Sequence, residues 1–220
     1  MARQKATGGT VIIAGEQTAG KGRLKRPWLS PQGSIALSII LRPDIATLPC
    51  LMMIASLAVV HAIEAVAAVK ADIKWPNDVL IGGKKVGGIL IENEVKANKA
   101  VYSIAGIGIN VDLNTADYPE ISATATSLMS RSDPDFRVKI IQSLLGEFER
   151  LYLKLPDSKF IYEAWRSRLI TLGKKVRAAS GSIIIEGIAD SVDETGALSI
   201  RQPDGSLVRV VAGDVTLSEK

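Results

Sequence analysis

The chain has 220 residues, 47% hydrophobic and 23% charged, enough to bury a real core in one or two domains. Its single cysteine, Cys50, excludes a disulfide framework, fits a reducing compartment and reads as a small buried apolar residue. With one histidine, His61, beside it, zinc sites of the usual nitrogen–sulfur type are excluded, and a Ser-His-Asp triad finds no support. The net charge of +4 fits nucleic acid and small anionic ligands equally well.

Met1 to Thr10 carries no apolar core of a secretory signal. Thr10 to Ala14 is a β-branched run after Gly8-Gly9 and reads as a strand. A glycine- and cation-rich loop, Thr18 to Gly33, follows, then a strand from Ser34 to Leu41 that stops before Pro43. Leu48 to Val69 is the one stretch whose hydropathy suits a membrane. Pro49, His61, Glu64 and its place between strands favour instead a helix over Pro49 to Val69 packed on a sheet.

Strands are expected at Ile73 to Trp75 with Val79 to Ile81, at Lys85 to Glu94 and at Ala100 to Val111. Turns at Gly82-Gly83 and Lys96 to Lys99 join them as hairpins, so the sheet should be mixed but largely antiparallel, with helices on one side. From Asp135 the period changes: Val138, Ile141, Leu144, Leu145, Phe148, Leu151, Tyr152 and Leu155 mark an amphipathic helix ended by Pro156. Phe160, Ile161, Ala164, Trp165 and Leu169 suggest a shorter one. Beyond Gly173, apolar runs at Lys175 to Ala178, Ser182 to Ile188, Ala197 to Ile200 and Leu207 to Val211 alternate with glycine turns and predict a small barrel-like β unit. The pattern divides the chain into residues 1–172 and 173–220.

The chain lacks a G-x-x-x-x-G-K-[ST] loop, and Gly20-Lys21-Gly22 opens no Rossmann unit. Its tools are therefore lysines, arginines, backbone amides and a few carboxylates. Two segments gather them. In Gln17 to Trp28, glycines allow close backbone approach while Lys21, Arg23, Lys25 and Arg26 can neutralise phosphate or carboxylate; a solvated basic loop is the plain alternative. In Lys74-Trp75-Pro76-Asn77-Asp78, an amide and a carboxylate leave the sheet together. Across the Gly82-Gly83 turn, Lys85 returns to the same end, ahead of Gly87-Gly88; here the alternative is an ordinary hairpin with exposed lysines.

Lys74-Trp75-Pro76-Asn77-Asp78 with Lys85-Val86-Gly87-Gly88-Ile89 resembles the signature of biotin–protein ligases. The Gly20 to Trp28 loop is similar to that family's biotin-binding loop, G-R-G-R-x-G-x-x-W, and Gly106-Ile107-Gly108-Ile109-Asn110-Val111 to its later G-x-G-x-N strand. The resemblance runs from about Gly9 to the C-terminus and implies an α+β fold like that of class II synthetases, with a C-terminal SH3-like β-barrel. It implies ATP, biotin and Mg²⁺ as ligands, biotinyl-5′-AMP as intermediate, and a lysine of a biotin carboxyl carrier protein as acceptor. Lys85, Arg23 and Asp78 would carry the chemistry, and Gln17, Gly20, Lys21, Arg23, Lys85 and Gly88 would hold biotin. Lys21, Arg23, Trp28, Asn77 and Asn110 would contact the nucleotide, and Asp78 would help place Mg²⁺.

Where the family usually has arginine and glycine, this chain has Lys21 and Lys25. No Ser/Thr-Asn pair stands before Gly9, so the resemblance implies weaker biotin binding than in a form extended upstream. A cytoplasmic enzyme that contacts neither membrane nor nucleic acid is expected, with a homodimer through the sheet. The chain offers no room for a helix-turn-helix, so a DNA-binding regulator is the distant alternative. Nearer ones are a lipoate–protein ligase, whose histidine-containing loop has no match here, and a non-catalytic biotin- or carboxylase-binding protein.

Overall fold

The computed structural model describes residues 2–4, 6–128, 133–181 and 183–217. Six strands form the first sheet: β1 (Val11–Ala14), β2 (Ile35–Leu41), β3 (Asp72–Lys74), β4 (Asp78–Ile81), β5 (Lys84–Lys96) and β6 (Lys99–Ile109). Their order is β1-β2-β6-β5-β4-β3, with antiparallel pairing between all neighbours. The two longest strands are one hairpin, closed by Ala97 and Asn98 at φ 47° and 57°, the left-handed pair that a tight turn demands. Gly82 and Gly83 close the β4–β5 hairpin with positive φ of their own.

Strand alternation splits the β5–β6 hairpin into two faces. Ile89, Ala105, Ile107 and Ile109 are buried on the face that meets α1 (Leu48–Ala67). That helix begins with Pro at its first turn and ends where Ala68 turns left-handed at φ 53°. It is apolar nearly all round because it lies between the sheet and α2 (Phe136–Tyr152) and α3 (Ser158–Ser167). Residues 45–67 are long and apolar enough to cross a membrane, yet 67% of the most apolar window is buried within the fold. Leu51, Ile54, Leu57 and Ile63 are fully enclosed, each contributing about 1.5–3 kcal/mol by burial.

Two side-chain contacts tie the helices together. His61 Nδ1 lies 3.0 Å from Glu147 Oε2, and Arg168 grips both oxygens of Glu64 at 2.7 and 3.0 Å. His61 is thus a half-buried clamp between α1 and α2. The α2 stripe is rotated from expectation. Ile140, Leu144, Phe148 and Leu151 are buried, whereas Val138 is 49% exposed, because packing against α1 selects the side of the helix that carries Ile140. Phe160 likewise faces solvent, leaving Ile161 and Trp165 as the anchors of α3, and Leu169 follows that helix as an isolated bridge to Ile73.

The second sheet contains β7 (Lys175–Ser180), β8 (Ile183–Val192), β9 (Leu198–Arg201), β10 (Leu207–Val210) and β11 (Asp214–Leu217), in order β10-β9-β8-β7-β11. Four of these match expectation; Ser182, the expected start of β8, lies outside the described residues. The fifth strand, β11, was not expected. It pairs antiparallel with β7, Val215 opposite Ala178, and carries the chain back toward the first sheet.

The seam between the sheets is made by the Trp75 motif. Trp75 is buried, its backbone N–H donates to Thr171 Oγ1 at 2.9 Å, and its indole N–H donates to the Gly196 carbonyl at 2.8 Å. The Gly196 carbonyl is presented by a turn that Asp193 knots together. Its Oδ1 accepts from the Thr195 and Ala197 amides at 2.9 and 3.0 Å, and its Oδ2 from Arg209 Nε at 2.8 Å.

Candidate active site

The other face of the β5–β6 hairpin carries three glycines at one end, Gly88, Gly106 and Gly108, beside Leu90, Glu92 and Ile104. Gly88 stands directly opposite Gly108, and Gly106 lies between Leu90 on one side and Ser38 on the other. This glycine floor opens a cavity of about 540 Å³, walled by the Gln17–Trp28 loop, the Lys74–Asp78 segment and the near edge of the second sheet. A ligand can approach the sheet backbone here because Gly88, Gly106 and Gly108 carry no Cβ.

The loop over this floor is an irregular ribbon. Gln17 N–H donates to the Ser30 carbonyl at 2.9 Å, Trp28 N–H to the Gly20 carbonyl at 2.9 Å, and Gly22 N–H to the Arg26 carbonyl at 2.8 Å. Between them Leu24 and Lys25 turn left-handed at φ 53° and 60°. A methyl group at Gly20 would overlap the Trp28 carbonyl, so Gly20 is needed for the loop to fold on itself. Trp28 lays its indole over the glycine floor: a methyl group at Gly108 would lie 2.6 Å from indole Cζ2, and one at Gly88 3.3 Å from Cζ3.

Lys85 sits at the rim of the floor. Its backbone is fixed on both sides, its N–H donating to the Thr124 carbonyl and its carbonyl accepting from Thr126 N–H, both at 2.8 Å. Its Nζ forms an ion pair with Asp78 Oδ1 at 2.5 Å and lies 5.4 Å from the Trp28 ring centroid. Asp78 and Gly88 are cross-strand partners, which is why Lys85, returning over the turn, finds that carboxylate. Arg23 Nη1 donates to Asn77 Oδ1, one residue before Asp78, at 3.0 Å and Nη2 to the Gly213 carbonyl at 3.1 Å. Burial pulls the Arg23 pKa below the usual guanidinium value, against the opposing pull of Asp214 and Asp78.

Gln17, Lys21, Arg23, Trp28, Asn77, Asp78, Lys85 and Gly88 thus all line one cavity. Two expected residues do not. Gly20 stands behind the wall as a backbone requirement rather than a contact. Asn110 is buried away from the cavity, its side-chain amide donating to the Thr126 carbonyl at 3.0 Å; it pins the 124–128 segment against β5. Asn77 reaches the cavity with both side-chain ends committed, accepting from Arg23 and donating to the Ile89 carbonyl at 2.9 Å. The expectation that Asp78 places a metal also meets a competitor, since Lys85 takes one of its oxygens. Among the described residues no cluster of three or more His, Cys, Asp or Glu side chains forms.

Residues absent from the sequence expectation come mostly from the second sheet. Arg177, Asp214 and Thr216 line the cavity, and Asp214 pairs with Arg26 of the loop. Arg26 was visible in the basic cluster; Asp214, in a short strand distant in sequence, gave no signal beyond its Gly213-Asp214 turn. A cleft that gathers Lys21, Arg23, Arg26 and Lys85 above a bare glycine floor is a site for a ligand bearing phosphate and carboxylate.

Comparison with known proteins narrows that class. Residues 1–110 match the Biotin/lipoate A/B protein ligase family and residues 171–218 the Biotin protein ligase C terminal domain. The bifunctional ligase/repressor BirA of Bacillus spizizenii is 38% identical over 99% of this chain and 69% of its own length. The biotin–[acetyl-CoA-carboxylase] ligase of Paracoccus denitrificans is 33% identical over 92% of this chain and 88% of its own. The Aquifex aeolicus biotin protein ligase solved with biotin and ATP superposes with a TM-score of 0.80 at 29% identity, covering 100% of this chain and 93% of that one. The chain belongs to the biotin/lipoate A/B protein ligase family, on its biotin–protein ligase side.

Proposed function

We propose that the chain activates biotin with ATP to biotinyl-5′-AMP and then passes the biotinyl group to a lysine of a biotin carboxyl carrier protein. The observation that carries this reading is the glycine-floored cavity lined by Lys85, held by Asp78, and Arg23, held by the adjoining Asn77, on the fold shared with a ligase solved with biotin and ATP. In the first step a biotin carboxylate oxygen attacks the α-phosphorus and pyrophosphate leaves. Two anions must meet, and Lys85, Lys21 and Arg23 offset their repulsion. In the second step an uncharged acceptor amine attacks the acyl carbon, AMP leaves and the nitrogen loses a proton. The mixed anhydride between the steps is hydrolytically weak, and the Gln17–Trp28 loop is placed to exclude water from it.

Gln17, Lys21, Arg23, Lys85 and Gly88 are the proposed biotin contacts, and Lys21, Arg23 and Trp28 the nucleotide contacts, with Asn77 orienting Arg23. Mg²⁺ enters on this reading as part of the MgATP substrate, whose phosphates it neutralises, and no step is assigned to it through Asp78. The division at residue 172 is proposed as functional too, the first unit carrying the floor and the second closing the wall. A free, buried Cys50 and the absence of any cysteine partner suit a cytoplasmic setting. Edge strand β1 exposes Val11, Ile12 and Ile13, which supports pairing of two copies along it, testable by sedimentation.

Biotin-dependent exchange of pyrophosphate into ATP tests the first step, and transfer of labelled biotin to a carrier domain the second. Exchange with lipoate but not biotin would overturn the reading. Biotin binding without exchange would reduce the chain to a binding protein.

A further inference from the structure

The ligand loop is fastened at one end by a residue that lies almost two hundred positions away. Arg26 Nη2 forms an ion pair with Asp214 Oδ2, at the first residue of β11. That oxygen is shielded from solvent and has no hydrogen bond from any other group among the described residues. One residue earlier, the Gly213 carbonyl accepts from Arg23 Nη2 at 3.1 Å. The second sheet therefore grips the loop at two arginines, and both grips arise from the same turn into β11.

That turn is itself fixed. Asp214 pairs with Ala179 and Val215 with Ala178 in β7, and Val215 is buried. The tip of the loop has no such support: Leu24 is 63% exposed, and it and Lys25 are left-handed. A segment bearing Lys21, Arg23, Lys25 and Arg26 repels itself, and a carboxylate at one end offsets that repulsion before any anionic ligand arrives.

We infer that Asp214 is a positioning residue for the ligand loop, holding Arg26, and through the adjoining Gly213 carbonyl Arg23, over the cavity of the unliganded protein. Its effect is on readiness of the site. It touches no reacting atom. The ligand then binds a loop already in place, so the ordering cost falls before binding rather than during it. The kinetic part of this inference rests on the proposed ligase activity; the part concerning loop order does not.

The test uses the full chain without ligand. Amide hydrogen exchange is followed over residues 18–28, with α1 and β5 as internal references. Asp214→Asn should speed exchange at the Gly22 and Trp28 amides by roughly three- to tenfold and leave the references unchanged, as expected for a pair of modest strength with one exposed partner. Arg26→Gln should do the same from the exposed side of the pair, and serves if Asp214→Asn fails to fold. The charge-exchanged double variant R26D/D214R should restore slow exchange. Wild-type exchange should rise toward that of the variants as salt is raised, since a pair with one exposed partner is screened. In pyrophosphate exchange, Asp214→Asn should raise the KM for biotin about two- to fivefold and leave kcat within about twofold.

Wild-type loop exchange in both single variants overturns the inference, as does fast exchange persisting in the charge-exchanged protein. A fall in kcat with unchanged KM also overturns it, because that would make Asp214 part of the chemistry. Loop exchange that shifts as expected in a protein without biotin-dependent activity upholds the inference and defeats the proposed function instead.

Discussion

Lys85→Ala isolates the one cation that the fold fixes from both sides. The mutation leaves β5 intact, because Lys85 is held through its backbone to Thr124 and Thr126 rather than through its side chain. What disappears is the ammonium 2.5 Å from Asp78. That side chain is 33% exposed and its partner 21%, so the pair contributes about 1 kcal/mol or less to folding. Its contribution to reaction is expected to be larger, since charge develops where biotin and the α-phosphate meet. Removing a single preorganised electrostatic stabiliser costs about 2.7–4 kcal/mol in comparable sites, or roughly a hundred- to thousandfold in rate. Lys85→Arg should recover part of this, limited by a planar fork in place of a compact charge. The assay pairs biotin-dependent pyrophosphate exchange with a thermal melt. Exchange within about threefold of wild type, with an unchanged melt, would refute a role for Lys85.

Gly108→Ala puts a methyl group into the Trp28 indole and must displace the ring from the floor. An overpacking cost of about 1–3 kcal/mol and a tenfold or greater loss in ATP affinity are expected, read by calorimetric titration and by a change in tryptophan emission. Asp193→Ala unknots the turn that presents Gly196 to Trp75. Burial pushes the Asp193 carboxyl up, but hydrogen bonds from Thr195, Arg209 and Ala197 outweigh it and bring the pKa to about 2. A depressed carboxylate stabilises the fold above its ordinary value of 3.8, and that stabilisation is lost as pH falls through about 2. The variant should lose about 1–2 kcal/mol at neutral pH, toward the lower end because the side chain is 40% exposed. The melting temperature of wild type should fall more steeply than that of the variant between pH 4 and pH 2; parallel curves would show that Asp193 does not carry this dependence.

The hairpins were legible because their turn chemistry is local. Gly82-Gly83 and Ala97-Asn98 adopt the left-handed backbone that tight turns need, and the flanking β-branched runs supply the strands. The cavity was legible through its motifs, since the Lys74–Asp78 segment, Lys85 and the glycine loop do meet. What escaped was whatever depends on distant pairing. Strand β11 has four residues and one buried side chain, Val215, too short for alternation to register; its existence rests on β7, far earlier in the chain. The phase of α2 was misjudged because Val138 and Ile140 are equally apolar in sequence, and only contact with α1 selects Ile140. Asn110 is expected at the nucleotide only through the family resemblance of the Gly106–Asn110 strand. A buried asparagine must satisfy its own amide, and here Thr126 does so.

The indole of Trp75 has a consequence for how the protein comes apart. A residue that reads as part of a reactive signature is in fact a rivet: its main chain is bonded to Thr171 and its ring nitrogen to Gly196, so one side chain spans both sheets. Heat or denaturant that opens the second sheet releases the indole and with it the segment that carries Asn77 and Asp78. Melting should therefore register as a single cooperative transition, with loss of the cleft coincident with loss of structure. Trp75→Phe, which keeps an aromatic ring but deletes the bond to Gly196 and part of the buried volume, should be the substitution that splits that transition in two.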